Sequence, residues 1–195
     1  MQDSLSPDQS FNQRLHPGFE ETEFERRATK FNFGAPVTGS LSLSDSVVVG
    51  FGDGNVRTFR EGVGYSSKKA HSGVVLCMAT DGENIFTGGD DGKFLGISSD
   101  NTVEEIASFG SKWVDCVAAV DGKYACSSGG KAHVWSQGQK EPTILEHSST
   151  VGGMAFDAKG KRLAVSHYGG VTIWEVKERR WKSSKLIWKG FHGSV

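Results

Sequence analysis

Four segments of the chain repeat one pattern. They read SVVVGFGDGNVRTFR (46–60), NIFTGGDDGKFLGIS (84–98), KYACSSGGKAHVWS (123–136) and RLAVSHYGGVTIWE (162–175). Each is a short β-branched or apolar strand, a small polar or glycine-rich turn, then a second strand ending in a bulky residue. The turn glycines Gly54, Gly92, Gly130 and Gly170 stand 38, 38 and 40 residues apart. So regular an interval means that one supersecondary unit recurs and stacks on its neighbour. The 26 glycines against 4 prolines fit this reading, because tight hairpin turns repeatedly demand positive φ.

The turn chemistry makes each segment a β-hairpin. Asp53-Gly54 and Asp91-Gly92 combine a residue that bonds its own backbone with one that accepts positive φ. Gly129-Gly130 and Gly169-Gly170 meet the same geometry without the side-chain bond. Val56 and Thr58 alternate with Arg57 and Phe59, as in half-buried strands. A further strand precedes each hairpin, at Val37–Leu43, Val74–Ala79, Val114–Val120 and Val151–Phe156. A more polar one follows, at Val103–Phe109, Thr143–Glu146 and Leu186–Lys189. Four strands per unit, apolar inside and Lys/Glu-rich at the outer edge, predict an all-β fold. The expected architecture is a partial β-propeller of about four four-stranded antiparallel blades.

At these residues the chain resembles the WD-repeat family, whose blades open on Gly-His and close the third strand on Trp-Asp. The closing pairs here are Phe59-Arg60, Ile97-Ser98, Trp135-Ser136 and Trp174-Glu175. The opening histidine is matched by His71, His147 and His192, with Gly110-Ser111 in its place in the third blade. The resemblance implies a buried network of that histidine, a turn Asp, a strand Ser or Thr and the Trp. No blade keeps the whole set: the second has His71 and Asp91 but Ile97, and the fourth has His147 and Trp174 but Tyr168. It covers about residues 31–195 and implies the fold together with a role in binding other proteins.

The blades divide as 31–66, 67–109, 110–146 and 147–190, with a fifth beginning at 191–195 on His192. Residues 1–30 read as a flexible polar arm carrying Glu20, Glu21, Glu23 and Glu25. Four blades are fewer than the family's usual ring, so the chain is expected to be a fragment. The competing expectation is self-association through open propeller ends, with two copies closing one ring.

Net charge of −1 argues against a surface tuned for nucleic acid or anionic membrane. No segment approaches the ~20 apolar residues of a membrane helix, and the N-terminus lacks a secretory apolar run. With no export signal, Cys77, Cys116 and Cys126 read as reduced thiols in a cytoplasmic protein. They lack the C-x-x-C spacing of a zinc site and suit packing. His71, His147 and His192 recur at equivalent sites of different blades, too far apart to share an ion. No metal or cofactor is expected.

An enzyme of this architecture would need an acid–base pair converging on the axis. Asp53, Asp81, Asp91, Asp121 and Asp157 instead fall in turns, and no G-x-S-x-G nucleophile occurs. The expected function is therefore a non-catalytic protein-interaction scaffold. The alternative is a propeller enzyme or quinone-dependent redox protein whose site needs further blades. Loops at one end of the blades would present the binding surface, which makes Trp113, Lys112, Phe51, His167 and Thr150 the candidate contacts. Trp113 stands among Gly, Ser and Lys and reads either as an anchor or as packing between blades. Asp53, Gly54, His71, Asp91, Gly92, Gly130, Trp135, His147, Gly170 and Trp174 are the structural turn and blade-opening positions. Lys177, Arg179, Arg180, Lys182 and Lys185, around Trp181, form a basic run before the last strand and read as a solvated loop.

Overall fold

The computed structural model describes residues 22–177 and 180–183. Glu20, Glu21, Arg179, Lys185, the strand at Leu186–Lys189 and the fifth-blade start at His192 lie outside the described residues. The chain divides into two compact units, Met1–Pro36 and Val37–Val195. In the first, residues read from the sequence as an irregular arm include a short helix, α1 (Glu23–Arg27). Its cause is a capping box. Thr22 Oγ1 accepts the Glu25 N–H at 3.2 Å, and the Glu25 carboxylate accepts the Thr22 N–H at 2.8 Å.

The second unit is all-β, with four antiparallel four-stranded sheets, each a meander in chain order. The first blade is β1 (Val37–Ser42), β2 (Val47–Phe51), β3 (Asn55–Arg60) and β4 (Gly64–Lys69). The second is β5 (Val75–Thr80), β6 (Ile85–Gly89), β7 (Lys93–Ile97) and β8 (Val103–Ser108). The third is β9 (Val117–Val120), β10 (Lys123–Ser128), β11 (Lys131–Ser136) and β12 (Thr143–Glu146). The fourth is β13 (Val151–Phe156), β14 (Arg162–His167), β15 (Gly170–Lys177) and β16 (Arg180–Ser183). The inner strands β1, β5, β9 and β13 neighbour one another in succession, so the sheets share an axis as the blades of a partial propeller do.

Two boundaries differ from the sequence reading. The inner strand of the third blade begins at Val117, because Val114 is a buried plug whose N–H bonds the Gly89 carbonyl at 3.1 Å. The outer strand of the fourth blade is Arg180–Ser183. Lys177 and Arg180 are register partners, as are Val176 and Trp181, so most of the basic run belongs to strands and not to a loop.

Each pair of successive blades encloses its own core. Val48 and Val56 meet Val75, Ile85 and Ile97 between the first two. Phe86 and Phe94 meet Val114, Cys126 and Trp135 between the next two. Ala125, Ala132, Val134 and Leu145 meet Val151, Leu163 and Val165 between the last two. Trp174 and Trp181 pack on the edge of the third interface.

A backbone hydrogen bond of one kind recurs at each blade-to-blade junction. The carbonyls of Gly54, Gly92 and Gly130 accept the N–H groups of His71, Phe109 and His147 at 3.1, 2.8 and 2.9 Å. The tip of each hairpin thus holds the chain as it leaves the outer strand for the next blade. This geometry corrects the third-blade opening: the residue equivalent to His71 and His147 is Phe109, not Gly110-Ser111. Gly54 and Gly92 have φ of 76° and 75°, whereas in the third turn the left-handed residue is Gly129 at 60° and not Gly130. That hairpin closes on a two-residue turn, with Ser128 paired to Lys131, and such turns place positive φ at the first central residue.

A side chain at Gly92 would be strained by its φ and would also collide with the Gly110 carbonyl oxygen. Gly92→Ala is therefore expected to lower the unfolding free energy by about 3 kcal/mol, read from urea denaturation. A loss below about 0.5 kcal/mol would contradict the role given to this turn.

Candidate functional site

The opening residues of the blades carry three different arrangements. In the second blade His71, 1% exposed, lies 2.9 Å from Asp91 Oδ1 through Nδ1 and 2.9 Å from Thr87 Oγ1 through Nε2. A carboxylate only accepts, so Nδ1 donates to Asp91 and Nε2 accepts the Thr87 hydroxyl proton. Asp91 Oδ2 also accepts the N–H and hydroxyl of Ser72 at 3.0 and 3.2 Å, and Oδ1 the Lys93 N–H at 3.2 Å. Burial alone would raise the Asp91 carboxyl, but the hydrogen bonds from His71 and Ser72 outweigh it and hold the pKa below its usual value. Ile97 ends the strand where a Trp would complete the set. The order Asp–His–Thr resembles a nucleophile relay, yet Thr87 is wholly buried. These three groups pin the blade opening to its hairpin.

The other blades replace that chemistry. Phe109 packs on the His133 ring at 4.6 Å, and His133 lies 6.2 Å from Trp135. Burial, with Lys131 assisting, pushes the His133 pKa down. In the fourth blade the Trp174 indole N–H donates to His147 Nε2 at 3.0 Å. His167 lies 5.4 Å away, ring to ring. It accepts the Gly169 N–H at 3.2 Å and reaches Thr172 Oγ1 at 3.1 Å. Burial and then His167 lower the His147 pKa. With Tyr168-Gly169 in place of a turn Asp, His147 Nδ1 is buried and finds no partner among the described residues. In the first blade Asp53 turns to Arg57 instead, which grips it through two nitrogens at 2.7 and 3.3 Å.

The hairpin tips and the blade-to-blade loops lie at the same end of the sheets, where the candidate contacts were sought. Trp113 is 61% exposed on the β8–β9 loop, beside exposed Lys112. Its neighbour Val114 is fully buried, so the loop is anchored while the indole projects from it. Among the described residues no blade covers the indole. Thr150 is exposed on the β12–β13 loop and His167 is half-buried at the end of β14. Phe51 must be withdrawn from this surface: it is 3% exposed, with the Arg57 guanidinium 4.3 Å above its ring. A strand-end position suggested exposure, but the ring, on the strand face it shares with Val49 and the exposed Val47, is covered by Arg57. Tyr168, 63% exposed at the β14–β15 turn, was missed. The signal was an aromatic where the other turns carry the small or polar Gly52, Asp90 and Ser128.

Among the described residues no group of three His, Cys, Asp or Glu could hold a metal ion. Burial pushes the thiols of Cys77, Cys116 and Cys126 up, away from the reactive thiolate form. Their sulfurs are unpaired with one another. No helix among the described residues is long and apolar enough to cross a membrane.

From Val37 onward the described residues are all-β and form four consecutive four-stranded blades. No family model matches the chain, and no curated protein does. Among solved structures it is similar to the computationally designed Ika4 protein, at 17% identity and a TM-score of 0.64. That match covers 75% of this chain and 94% of the designed one. It speaks to the fold alone.

Loss of the carboxylate at Asp91→Asn is expected to cost about 1–3 kcal/mol at pH 7. A depressed folded-state pKa stabilises above the unfolded value of 3.8 and ceases to as the pH falls through the folded value. The gap between wild type and variant in urea unfolding should thus narrow below about pH 4. A gap that stays constant down to pH 3 would contradict the assignment.

Proposed function

We propose that the chain is a non-catalytic protein-interaction scaffold of the WD-repeat type, acting in the cytoplasm. The observation that carries this reading is the loop end of the blades, where two large aromatics stand out on an anchored framework. Trp113 is fixed in position by its buried neighbour Val114, so little ordering entropy opposes its use as an anchor. Tyr168, on the adjacent blade, offers a second amphipathic contact. Lys112 and Thr150 supply polar rim groups on the intervening loops. The WD-repeat assignment is supported by the His71–Thr87–Asp91 set, and the compartment by three unpaired cysteines.

Trp113→Ala and Tyr168→Ala test the reading, singly and together. Both are surface truncations, so unfolding free energies should stay within about 0.5 kcal/mol of wild type. The double variant should lose the proteins that tagged wild-type chain captures from extracts of its source. An unchanged set of captured proteins, or a stability loss above about 2 kcal/mol, would overturn the proposal.

A further inference from the structure

A cleft of about 490 Å³ opens between the second and third blades. Phe86, Gly96, Glu104 and Ile106 form one wall, and Tyr124 and Trp135 the other. Its origin lies in one residue. Phe86 pairs with Gly96, and Gly96 with Glu104, so the three positions share a face of the sheet. Four residues past the turn glycine, the first and third blades carry Thr58 and Val134 where the second has Gly96. Val134 is buried against the fourth blade. Gly96 has no side chain to fill the same space.

The charge of the cleft is set on the same row. Glu104 is exposed on the cleft face and makes no ion pair among the described residues. Glu105 also borders the cleft, but its strand position falls on the opposite face and its carboxylate is bound by Lys93 at 2.8 Å. The Tyr124 ring stacks on Phe86 at 4.7 Å and on Trp135 at 6.0 Å, which fixes it as a wall. Burial, and then the Glu104 and Asp81 carboxylates, push its phenol pKa up, as a locally negative site would. Lys140 is the one cation on the described rim. Nonpolar wall, fixed aromatic edge and an unpaired carboxylate together suit a long cationic side chain, which buries an alkyl stem and keeps its head group at the rim.

We propose that this cleft binds a basic side chain of a partner protein, a lysine or arginine whose stem lies against Gly96 and Ile106 and whose head group meets Glu104. The site goes beyond the aromatic surface described above and does not depend on it. Ser98 and Gln137 at its mouth belong to loops at the other end of the strands from Trp113.

The test is an amide chemical-shift titration of the full chain at low salt. The probe is a capped tri-lysine peptide, with a capped tri-norleucine peptide as the uncharged control. Tri-lysine should shift the amides of Gly96, Glu104 and Tyr124, and tri-norleucine should not. Glu104→Gln, a surface change, should weaken binding about three- to fivefold. Gly96→Val should abolish it. Its Cβ would stand 3.3 Å from the flexible end of Ile106 and 3.9 Å from the Phe86 ring, and valine is the residue the third blade carries there. Trp113→Ala should leave the titration unchanged, which separates this site from the proposed scaffold surface. Shifts absent from the cleft, or Glu104→Gln binding as wild type, would overturn the proposal. So would a folded Gly96→Val that still binds.

Discussion

The hydrogen bond between a hairpin-tip carbonyl and the first residue of the next blade is the contact on which the rest of the structure depends. A four-stranded sheet buries only part of its apolar surface alone, and stability comes from stacking on a neighbour. Stacking in register requires that the outer strand of one blade hand the chain back to the axis at a fixed height. Gly54, Gly92 and Gly130 do this, each accepting from a residue seventeen positions downstream. Once that point is held, the inner strands lie side by side and the three inter-blade cores close.

What surrounds this contact varies from blade to blade. The second blade reinforces it with a buried His–Asp–Thr network. The third uses stacked rings, Phe109 on His133, and the fourth an indole N–H on His147. The solutions of the second and third blades satisfy or remove polar groups that burial would otherwise penalise, whereas the fourth leaves His147 Nδ1 buried without a partner among the described residues. The backbone bond is common to all three, so the side chains were free to diverge. That divergence accounts for a chain whose fold is regular while its blades share few side chains at the junction.

The same distinction explains what was legible in the sequence. Turn glycines, strand alternation and the interval between repeats are local signals, and they gave the four blades. Phe109 was misread because a polar residue was sought where only a backbone N–H is needed. Phe51 was misplaced because alternation puts it on the face of the exposed Val47, and only the Arg57 guanidinium laid over its ring buries it. Arg57 itself is buried because Asp53 grips it within four residues, a pairing that spacing alone does not announce. The Gly96 cleft and exposed Tyr168 could have been found by comparing equivalent positions across repeats. Glycine stands in one where valine stands in another, and Tyr168 where the other turns carry Gly52, Asp90 and Ser128.

The account is tested most directly by native-state hydrogen exchange at the amides of His71, Phe109 and His147. All three lie at blade junctions, outside regular strands, where unbonded amides exchange fast. If their N–H groups hold the blades in register, they should open only with the blades themselves and be protected as strongly as the amides of β6 and β10. Exchange of all three at the rate of solvent-facing loops, while β6 and β10 stay protected, would contradict the claim that this bond organises the fold.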